Sequence, residues 1–325
     1  MIRSLACIVV VTLCMGACSG AHDNKDYTGI LYFSWGQTLY AMNLQDRNVV
    51  PVYKNPEMVM TSLDKLDDQH LLLGYESLVR GSFGMTGELI VDRLNGSVMP
   101  YGGAMQRRSL RYLPQLKVVV FFGLVGGADS SHWSLYWANV DTPLQSHLID
   151  DTGTAGSIIV VSDHQVVYTV GILGGNFRLK TYDFETHRSS FLSIANCRPT
   201  VWRSRTDQLV CNNAGNYYLA RLDGLGKERI HFGILNSGLA MVAYVNEYDS
   251  AIMTGYGGIW FSFRRGFYEV SDLYLYDFKT KILTSLSNRY AADANLGTAV
   301  WYPSSSDKTN RTDGVNTMAS KVATN

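Results

Sequence analysis

The segment Gly255–Glu269 holds the densest set of side chains that could recognise a ligand. Its fifteen residues include four glycines, two adjacent arginines and six aromatic side chains. Aromatic faces can stack on a sugar or a peptide, and paired guanidinium groups can pair with carboxylates. We therefore predict a partner-binding surface with contacts from Tyr256, Trp260, Phe263, Arg264 and Arg265. The alternative interpretation is a lengthened hairpin, in which Ile259–Phe263 and Phe267–Tyr268 only extend two strands.

Groups for catalysis are sparse by comparison. The seven histidines are scattered along the chain, and none of the Ser-x-x-Lys, Gly-x-Ser-x-Gly or His-Glu-x-x-His patterns occurs. The sequence therefore favours a non-enzymatic protein, with no cofactor. The alternative function is a carbohydrate-active enzyme, a hydrolase or a lyase, that uses Asp129, His132 or Asp151.

The overall charge excludes a general attraction to polyanions. Lysine plus arginine number 28 and aspartate plus glutamate also number 28, so the formal net charge is zero. No global field then favours nucleic acid or an acidic partner. We predict no nucleic-acid binding.

The N-terminus has the features of a targeting signal. Arg3 precedes an apolar run from Leu5 to Leu13, which is too short to span a bilayer as a helix. Small residues then lead into Cys18, and the stretch resembles a bacterial lipoprotein signal peptide over residues 1–17. An ordinary secretory signal cut nearby is the alternative.

The lipoprotein resemblance carries further expectations. It implies a lipidated Cys18 that carries palmitate-type acyl chains, followed by a tether over residues 18–28. Ser19 after the cysteine implies the outer membrane, with the protein facing the periplasm or exposed at the surface. Several acyl chains would hold it firmly, since one chain alone binds only reversibly.

Two cysteines remain outside this segment, Cys197 and Cys211. Export favours a disulfide between them, and two free buried thiols are the alternative. Neither has a second cysteine or histidine at ligand spacing, so we predict no metal site there.

A short sequence motif that ends in Asp or Asn recurs along the chain. We expect this motif to define the strands and turns that position the candidate binding residues. A clear copy is Leu273–Asp277, an alternating strand followed by a polar turn. The final Asp or Asn of the six copies stands at positions 43, 92, 139, 183, 223 and 277. A period in the forties is typical of four-stranded propeller blades, and we expect the aspartates to hold turns.

A second register has the same period. A polar turn precedes a strand in five units, for example Asp163 before Gln165–Tyr168, and another strand precedes each turn. The first unit lacks its innermost strand, and Gly297–Pro303 has no partner of its own. We predict an all-β, six-bladed β-propeller of four-stranded blades over residues 29–303, with the first blade closed by the C-terminal strand. The polar tail at 304–325 is predicted to be disordered.

The pattern of Trp, polar turn, strand and Leu-x-x-x-Asp resembles the TolB-like and WD40-like propellers of bacterial envelopes. The segments Val201–Asp207 and Val300–Ser305 match best, although the typical Ser-Pro-Asp-Gly turn is nowhere intact. This resemblance implies an architecture and names no ligand.

We letter the four strands of each blade a to d, from the centre of the ring outward. Propeller geometry assigns the b–c and d–a loops to one face, around the mouth of the central channel. The b–c loops vary in length while the other turns stay short, so we place function on this face. Arg80, His132 and Arg198 are predicted to contribute to it, together with the blade 6 segment. The predicted function is binding of a protein or glycan partner in the cell envelope, in assembly or in surface interaction.

Overall fold

The structure is a computed structural model of the chain. It describes residues 27–82, 84–103, 105–124, 132–172, 176–232, 239–262, 266–286, 290–291 and 299–303. Within 256–272 and at 172, 176, 290 and 291, it describes the backbone alone. None of the helical turns in the described chain has the length and apolar character that a membrane-crossing helix needs.

Six antiparallel sheets follow one another along the chain. Blade 1 contains β1 (Ile30–Trp35), β2 (Thr38–Asn43) and β3 (Val49–Lys54). Blade 2 contains β4 (Met58–Lys65), β5 (His70–Ser77), β6 (Thr86–Asp92) and β7 (Val98–Tyr101). Blade 3 contains β8 (Arg107–Leu113), β9 (Val118–Leu124), β10 (Trp133–Asn139) and β11 (Ser146–Gly153).

The second half repeats the arrangement. Blade 4 contains β12 (Ile158–Ser162), β13 (Gln165–Ile172), β14 (Asn176–Asp183) and β15 (Arg188–Phe191). Blade 5 contains β16 (Arg198–Arg203), β17 (Gln208–Asn213), β18 (Asn216–Arg221) and β19 (Glu228–Ile230). Blade 6 contains β20 (Ala240–Val245), a 3-10 turn (Asn246–Tyr248), β21 (Ser250–Ser262), β22 (Gly266–Asp277) and β23 (Leu283–Ser285), with β24 (Tyr290–Ala291) paired to β22.

The last strand, β25 (Ala299–Tyr302), pairs with β1 and completes blade 1. Tyr302 is fully buried, and its hydroxyl donates hydrogen bonds to the carbonyls of Asp67 (2.9 Å) and His70 (3.1 Å) in blade 2. The C-terminal strand therefore joins two neighbouring blades. The predicted six-bladed propeller and its closure by the C-terminal strand are confirmed.

The core lies between the blades, because each sheet is apolar on both faces. In β5, Leu71 and Leu73 pack toward blade 1, whereas Leu72 packs toward blade 3. The described buried apolar residues fall into six clusters, and each cluster joins two adjacent blades, including blade 6 with blade 1. Burial on both faces of every blade stabilises the ring as a whole.

The recurring Asp and Asn residues form turns, as predicted. In all six copies their side-chain oxygen accepts a backbone N–H from two residues further on, at 2.8 to 2.9 Å. The backbone N–H of Thr186 also donates to Asp183, and this hydrogen bond lowers the pKa of that carboxyl. These side chains satisfy the backbone where each strand c turns into strand d.

Blade 6 departs from the others in its central hairpin. β21 has 13 residues and β22 has 12, whereas the corresponding strands of the other blades have at most 8. The backbone pairing runs from Ser250–Asp277 to Ser262–Gly266, with an irregularity between Tyr256 and Gly258. Five additional residues extend the hairpin by about 17 Å.

Candidate functional site

The innermost strands of blades 2 to 6 each contain a β-bulge. In β16, for example, Pro199 pairs with Cys211 and Val201 pairs with Val210, so Thr200 has no partner across the ladder. Equivalent register shifts occur in β4, β8, β12 and β20. A bulge leaves one residue out of the alternation and redirects side chains, so it can place them outside the interblade core.

A cavity of about 370 Å³ lies at the centre of the ring, among these inner strands. Four residues from the bulges line it, namely Thr61, Ser109, Thr200 and Val242. Ser109 has a left-handed backbone (φ 56°), and its hydroxyl donates a 2.8 Å hydrogen bond to the carbonyl of Gly156. The bulges therefore build the wall of the central channel.

Two arginines supply positive charge to this cavity. Arg111 comes from the middle of β8, and Arg198 is the first residue of β16. Nη1 of Arg111 donates to the Leu110 carbonyl at 2.8 Å, and the side chain of Arg198 makes no hydrogen bond or ion pair with any residue of the described chain. Burial raises the pKa of Tyr217, and the positive charge of Arg198 acts in the opposite direction. Arg198 is therefore available to a ligand.

Asp64 modifies the charge next to Arg111. Burial raises the pKa of the Asp64 carboxyl, and the nearby Arg111 pulls it down. The two Asp64 oxygens accept the backbone N–H groups of Lys65 and Tyr112, each at 2.8 Å. The field of Arg111 is partly offset, whereas Arg198 has no acidic neighbour of this kind among the described residues.

Apolar residues of blades 4 to 6 also line the cavity, namely Ile158, Ile159, Pro199, Met241 and Val242. The first residues of the inner strands β16 and β20 pair with later residues of the next strands, Arg198 with Asn212 and Ala240 with Thr254. The inner strands therefore begin at the face of the propeller toward which β17 and β21 run. The long hairpin of blade 6 projects from that end, and the cavity reaches inward from it.

The predicted contact residues are not gathered at one place. Arg198 lines the cavity, and Arg80 lies exposed in the turn between β5 and β6. Tyr256 and Trp260 belong to β21, so the backbone forms the lengthened hairpin that was the alternative interpretation. Phe263, Arg264 and Arg265 lie outside the described residues, as do Cys18 and Asp129.

The candidate residues for catalysis include one pair in contact. Nε2 of His132 lies 2.7 Å from Oδ1 of Asp151, and both side chains are largely exposed. His132 and Asp151 stand at the start of β10 and the end of β11, beside each other in blade 3.

The two late cysteines are bonded to each other. The Cys197–Cys211 disulfide joins the start of blade 5 to β17, with Cα atoms 4.9 Å apart. Both residues are buried in the core between blades 4 and 5.

One group of side chains in the described chain could approach a metal ion. Ligand atoms of His164, Asp183 and Glu185 lie within 4.8 Å of one another in turns of blade 4. Asp183 already accepts the backbone N–H groups of Glu185 and Thr186, so a turn-forming role accounts for its position.

Several residues that line the cavity were not predicted from the sequence. Four of them belong to the inner strands and were not among the predicted contact residues, namely Thr61, Ser109, Arg111 and Thr200. The available signal is an interruption of period-two alternation by a polar residue, as in Met60-Thr61-Ser62-Leu63. Isolated polar residues of this kind also occur on solvated strand faces, so the signal alone does not identify a channel.

Comparison with known proteins gives the architecture. No family model and no curated protein matches the sequence. Among solved structures, a putative TolB from Agrobacterium tumefaciens is similar at 13% identity and a TM-score of 0.62, over 83% of this chain and 99% of that one. TolB from Acinetobacter baumannii is similar at 11% identity and a TM-score of 0.59, over 86% and 68%.

A third similar structure comes from a nidogen–laminin complex, at 10% identity and a TM-score of 0.56, over 83% of this chain and 97% of that one. At these identities the likeness shows the fold alone. The chain has the propeller fold found in TolB proteins.

Proposed function

We propose that this chain is a non-enzymatic binding protein of the bacterial cell envelope. It captures a protein or glycan partner through the face formed by the b–c and d–a loops. The observation that carries this proposal is the blade 6 hairpin, which lengthens the propeller on that one face. Loops and extensions on a rigid scaffold are common places for binding. Propellers similar to this one include TolB proteins and a chain from a nidogen–laminin complex.

The partner contacts belong to the tip of this hairpin and its surroundings. Tyr256, Trp260, Phe263, Arg264 and Arg265 supply aromatic surface and positive charge, and Arg80, His132 and Arg198 come from other blades. Aromatic and arginine side chains are enriched among the residues that dominate interface energies.

Deletion of Ser262–Gly266 tests the site. The hairpin extends beyond the paired part of strand a, so its tip is expected to add little to the interblade core. We expect nearly unchanged thermal stability and loss of partner capture in affinity purification from intact envelopes. Unaltered capture would contradict the assignment.

A charge-matched pair of variants sharpens that test. Arg264→Ser with Arg265→Ser removes two positive charges from the hairpin. Lys279→Ser with Lys281→Asn removes two from the exposed turn at the opposite end of the same blade. Capture should fall only in the first pair, and an equal loss in both would indicate a charge effect without a defined site.

The membrane anchor is the second part of the proposal. We assign lipid attachment to Cys18, with the propeller held at the outer membrane by a short polar tether. Cys18→Ala should release the protein from membranes into the soluble fraction. A variant that stays fully membrane-bound after a salt wash would contradict lipid anchoring.

The contact between His132 and Asp151 favours a second candidate, a carbohydrate-active hydrolase or lyase. A histidine oriented by a carboxylate can act as a general base. Release of reducing ends or unsaturated products from a panel of polysaccharides, abolished by His132→Gln, would support this function. A protein without turnover on the panel would leave binding as the function.

A further inference from the structure

We propose that the central cavity binds a small carboxylate that carries a short apolar group. This inference concerns the channel and does not depend on partner capture by the hairpin. The cavity is lined by two arginines, by hydroxyl groups and by apolar residues, and this lining defines the class of ligand.

The charged groups that line the cavity select an anion. Among the described lining residues the ionised side chains are Arg111 and Arg198, and both are positive. Arg111 uses one N–H toward the Leu110 carbonyl, and Arg198 uses none toward the described chain. A guanidinium has five N–H donors in a planar fork, which matches the two oxygens of a carboxylate.

The balance of charge favours one negative charge over two. Asp64 interacts electrostatically with Arg111 and offsets part of its charge, while Arg198 is not offset in this way by a described residue. A carboxylate carries one charge, whereas a phosphate group carries up to two near neutral pH. A monoanion therefore suits this site better than a phosphate.

Hydroxyl and amide groups complete the polar lining of the cavity. The hydroxyls of Thr61 and Ser157 line the cavity, and the Asn212 side chain is adjacent to Arg198 across the β16–β17 ladder. Oδ1 of Asn212 accepts the Gly215 N–H at 3.1 Å. The Asn212 side chain also hydrogen-bonds Tyr217, and the second N–H of its amide, like the two hydroxyls, can donate to a ligand oxygen.

The apolar lining and the volume limit the rest of the ligand. Ile158, Ile159 and Met241 belong to interblade clusters and line the cavity together with Pro199 and Val242. A volume of about 370 Å³ is at the low end of small-molecule pockets. The site can hold a free acid with a short aliphatic or aromatic group, or the last residue of a polypeptide with its terminal carboxylate.

Calorimetric titration of the full-length protein distinguishes these two sources. The probes are hexanoate, hexanamide, N-acetyl-leucyl-leucine and its C-terminal amide. Tighter binding of hexanoate than of the peptide acid identifies a free acid, and the reverse identifies a chain terminus. Both outcomes support the proposal, provided that the two amides bind at least tenfold more weakly than the matching acids.

Three variants locate the binding. Arg198→Gln should raise the Kd of the better acid ten- to hundredfold, because it removes charge-assisted hydrogen bonds. Ala240→Phe, at an exposed position in the cavity wall, should block the cavity and also abolish binding. Arg188→Gln is the matched control, because it removes the same charge from the outer strand of blade 4 and should leave the Kd unchanged.

Four results would overturn the proposal. The first two are that neither acid binds up to millimolar concentration, and that the amides bind as well as the acids. The third is that neither Arg198→Gln nor Ala240→Phe changes binding in correctly folded protein. The fourth is that inorganic phosphate displaces the bound acid at equal concentration, which would show that the site does not prefer a carboxylate.

Discussion

Glu88 is a carboxyl group buried in the seam between blades 2 and 3, and it makes stability depend on pH. Its side chain in β6 is 3% exposed, and Oε1 has no hydrogen-bond partner in the described structure. The Tyr101 hydroxyl and two nitrogens of Arg107 share this region and are likewise without partners among the described residues. Burial raises the pKa of Glu88 to about 7, and the attraction of Arg107 only partly opposes that rise.

The size of the effect follows from the difference between folded and unfolded states. The unfolded chain has the ordinary Glu pKa of 4.5, and the folded value is about 7. The folded state therefore binds more protons than the unfolded state between these values, and its stability falls as pH rises through this window. The protonated carboxyl contributes its full stability below pH 4.5, and about 3 kcal/mol has been lost above pH 7.

Glu88→Gln imitates the protonated carboxyl and removes this loss. At pH 8 we expect the variant to be more stable than the wild type by about 3 kcal/mol, which corresponds to a rise in Tm of at least about 5 °C. At pH 4.5 the two proteins should unfold at nearly the same temperature. Because every other ionisable group is common to both proteins, the difference between the two Tm curves isolates Glu88.

The assay is thermal unfolding of both proteins at half-unit steps from pH 4.5 to pH 8.5. Glu57→Gln, which changes an exposed carboxyl, serves as the control and should track the wild type at every pH. A difference between Glu88→Gln and wild type that stays constant over the range would refute the reasoning. So would a difference that grows toward low pH.

Three other predictions concern the ring. The hydrogen bond from Arg203 lowers the pKa of the Asp249 carboxyl, so Asp249→Asn should cost roughly 2 kcal/mol at pH 7 in urea unfolding. That cost should begin to shrink as pH falls through 3.8, where the unfolded chain takes up a proton, and should vanish only below the lowered pKa of the folded carboxyl. Replacing both Cys197 and Cys211 with serine should lower stability by about 3 kcal/mol, since the bond closes a loop with a separation of 14 residues; equal stability after reduction would contradict this. A chain that ends before β25 should lose cooperative unfolding, whereas one that ends after Pro303 should keep the wild-type Tm.

The blades could be predicted because their signals are local. Asp92, Asp183 and Asp277 each bind the backbone of their own turn, so the same side chain recurs wherever the same turn recurs. Alternating apolar residues around these turns identified the strands. The closing strand β25 was also predictable. The sequence of the first blade contained three strands, and the C-terminal segment contained one strand with no partner of its own.

The blade 6 hairpin was only half predictable. The sequence of Gly255–Glu269 offered two interpretations, because aromatic residues favour both extended strands and binding surfaces. The backbone pairing of β21 with β22 shows that the strands do continue. A pattern of alternating residues predicts a strand but does not show which part of it contacts a binding partner. The function of the hairpin tip therefore remains a prediction.

The cavity could not be predicted, because it depends on departures from regular pairing. At the bulge in each inner strand of blades 2 to 6, one residue is inserted relative to the facing strand, and the position of that residue depends on both strands together. Thr61 and Thr200 read as ordinary strand residues until the register is known. Arg107 and Arg108 belong to the inner strand β8 but do not line the cavity, since Arg107 is buried in the seam between blades 2 and 3 and Arg108 lies over Trp133.

The bulges also explain how a propeller can carry chemistry at its centre without weakening its core. Regular alternation sends successive side chains of a strand into the two interblade clusters, as Leu71 and Leu72 show in β5. An inner strand with perfect alternation would therefore commit every side chain to a blade interface. One extra residue releases a side chain toward the channel while its neighbours, such as Met60 and Leu63, stay in the core. Changes at Thr61, Thr200 or Val242 can then alter the ligand of the channel at little cost to the six interfaces, which places specificity and stability in different residues of the same strands.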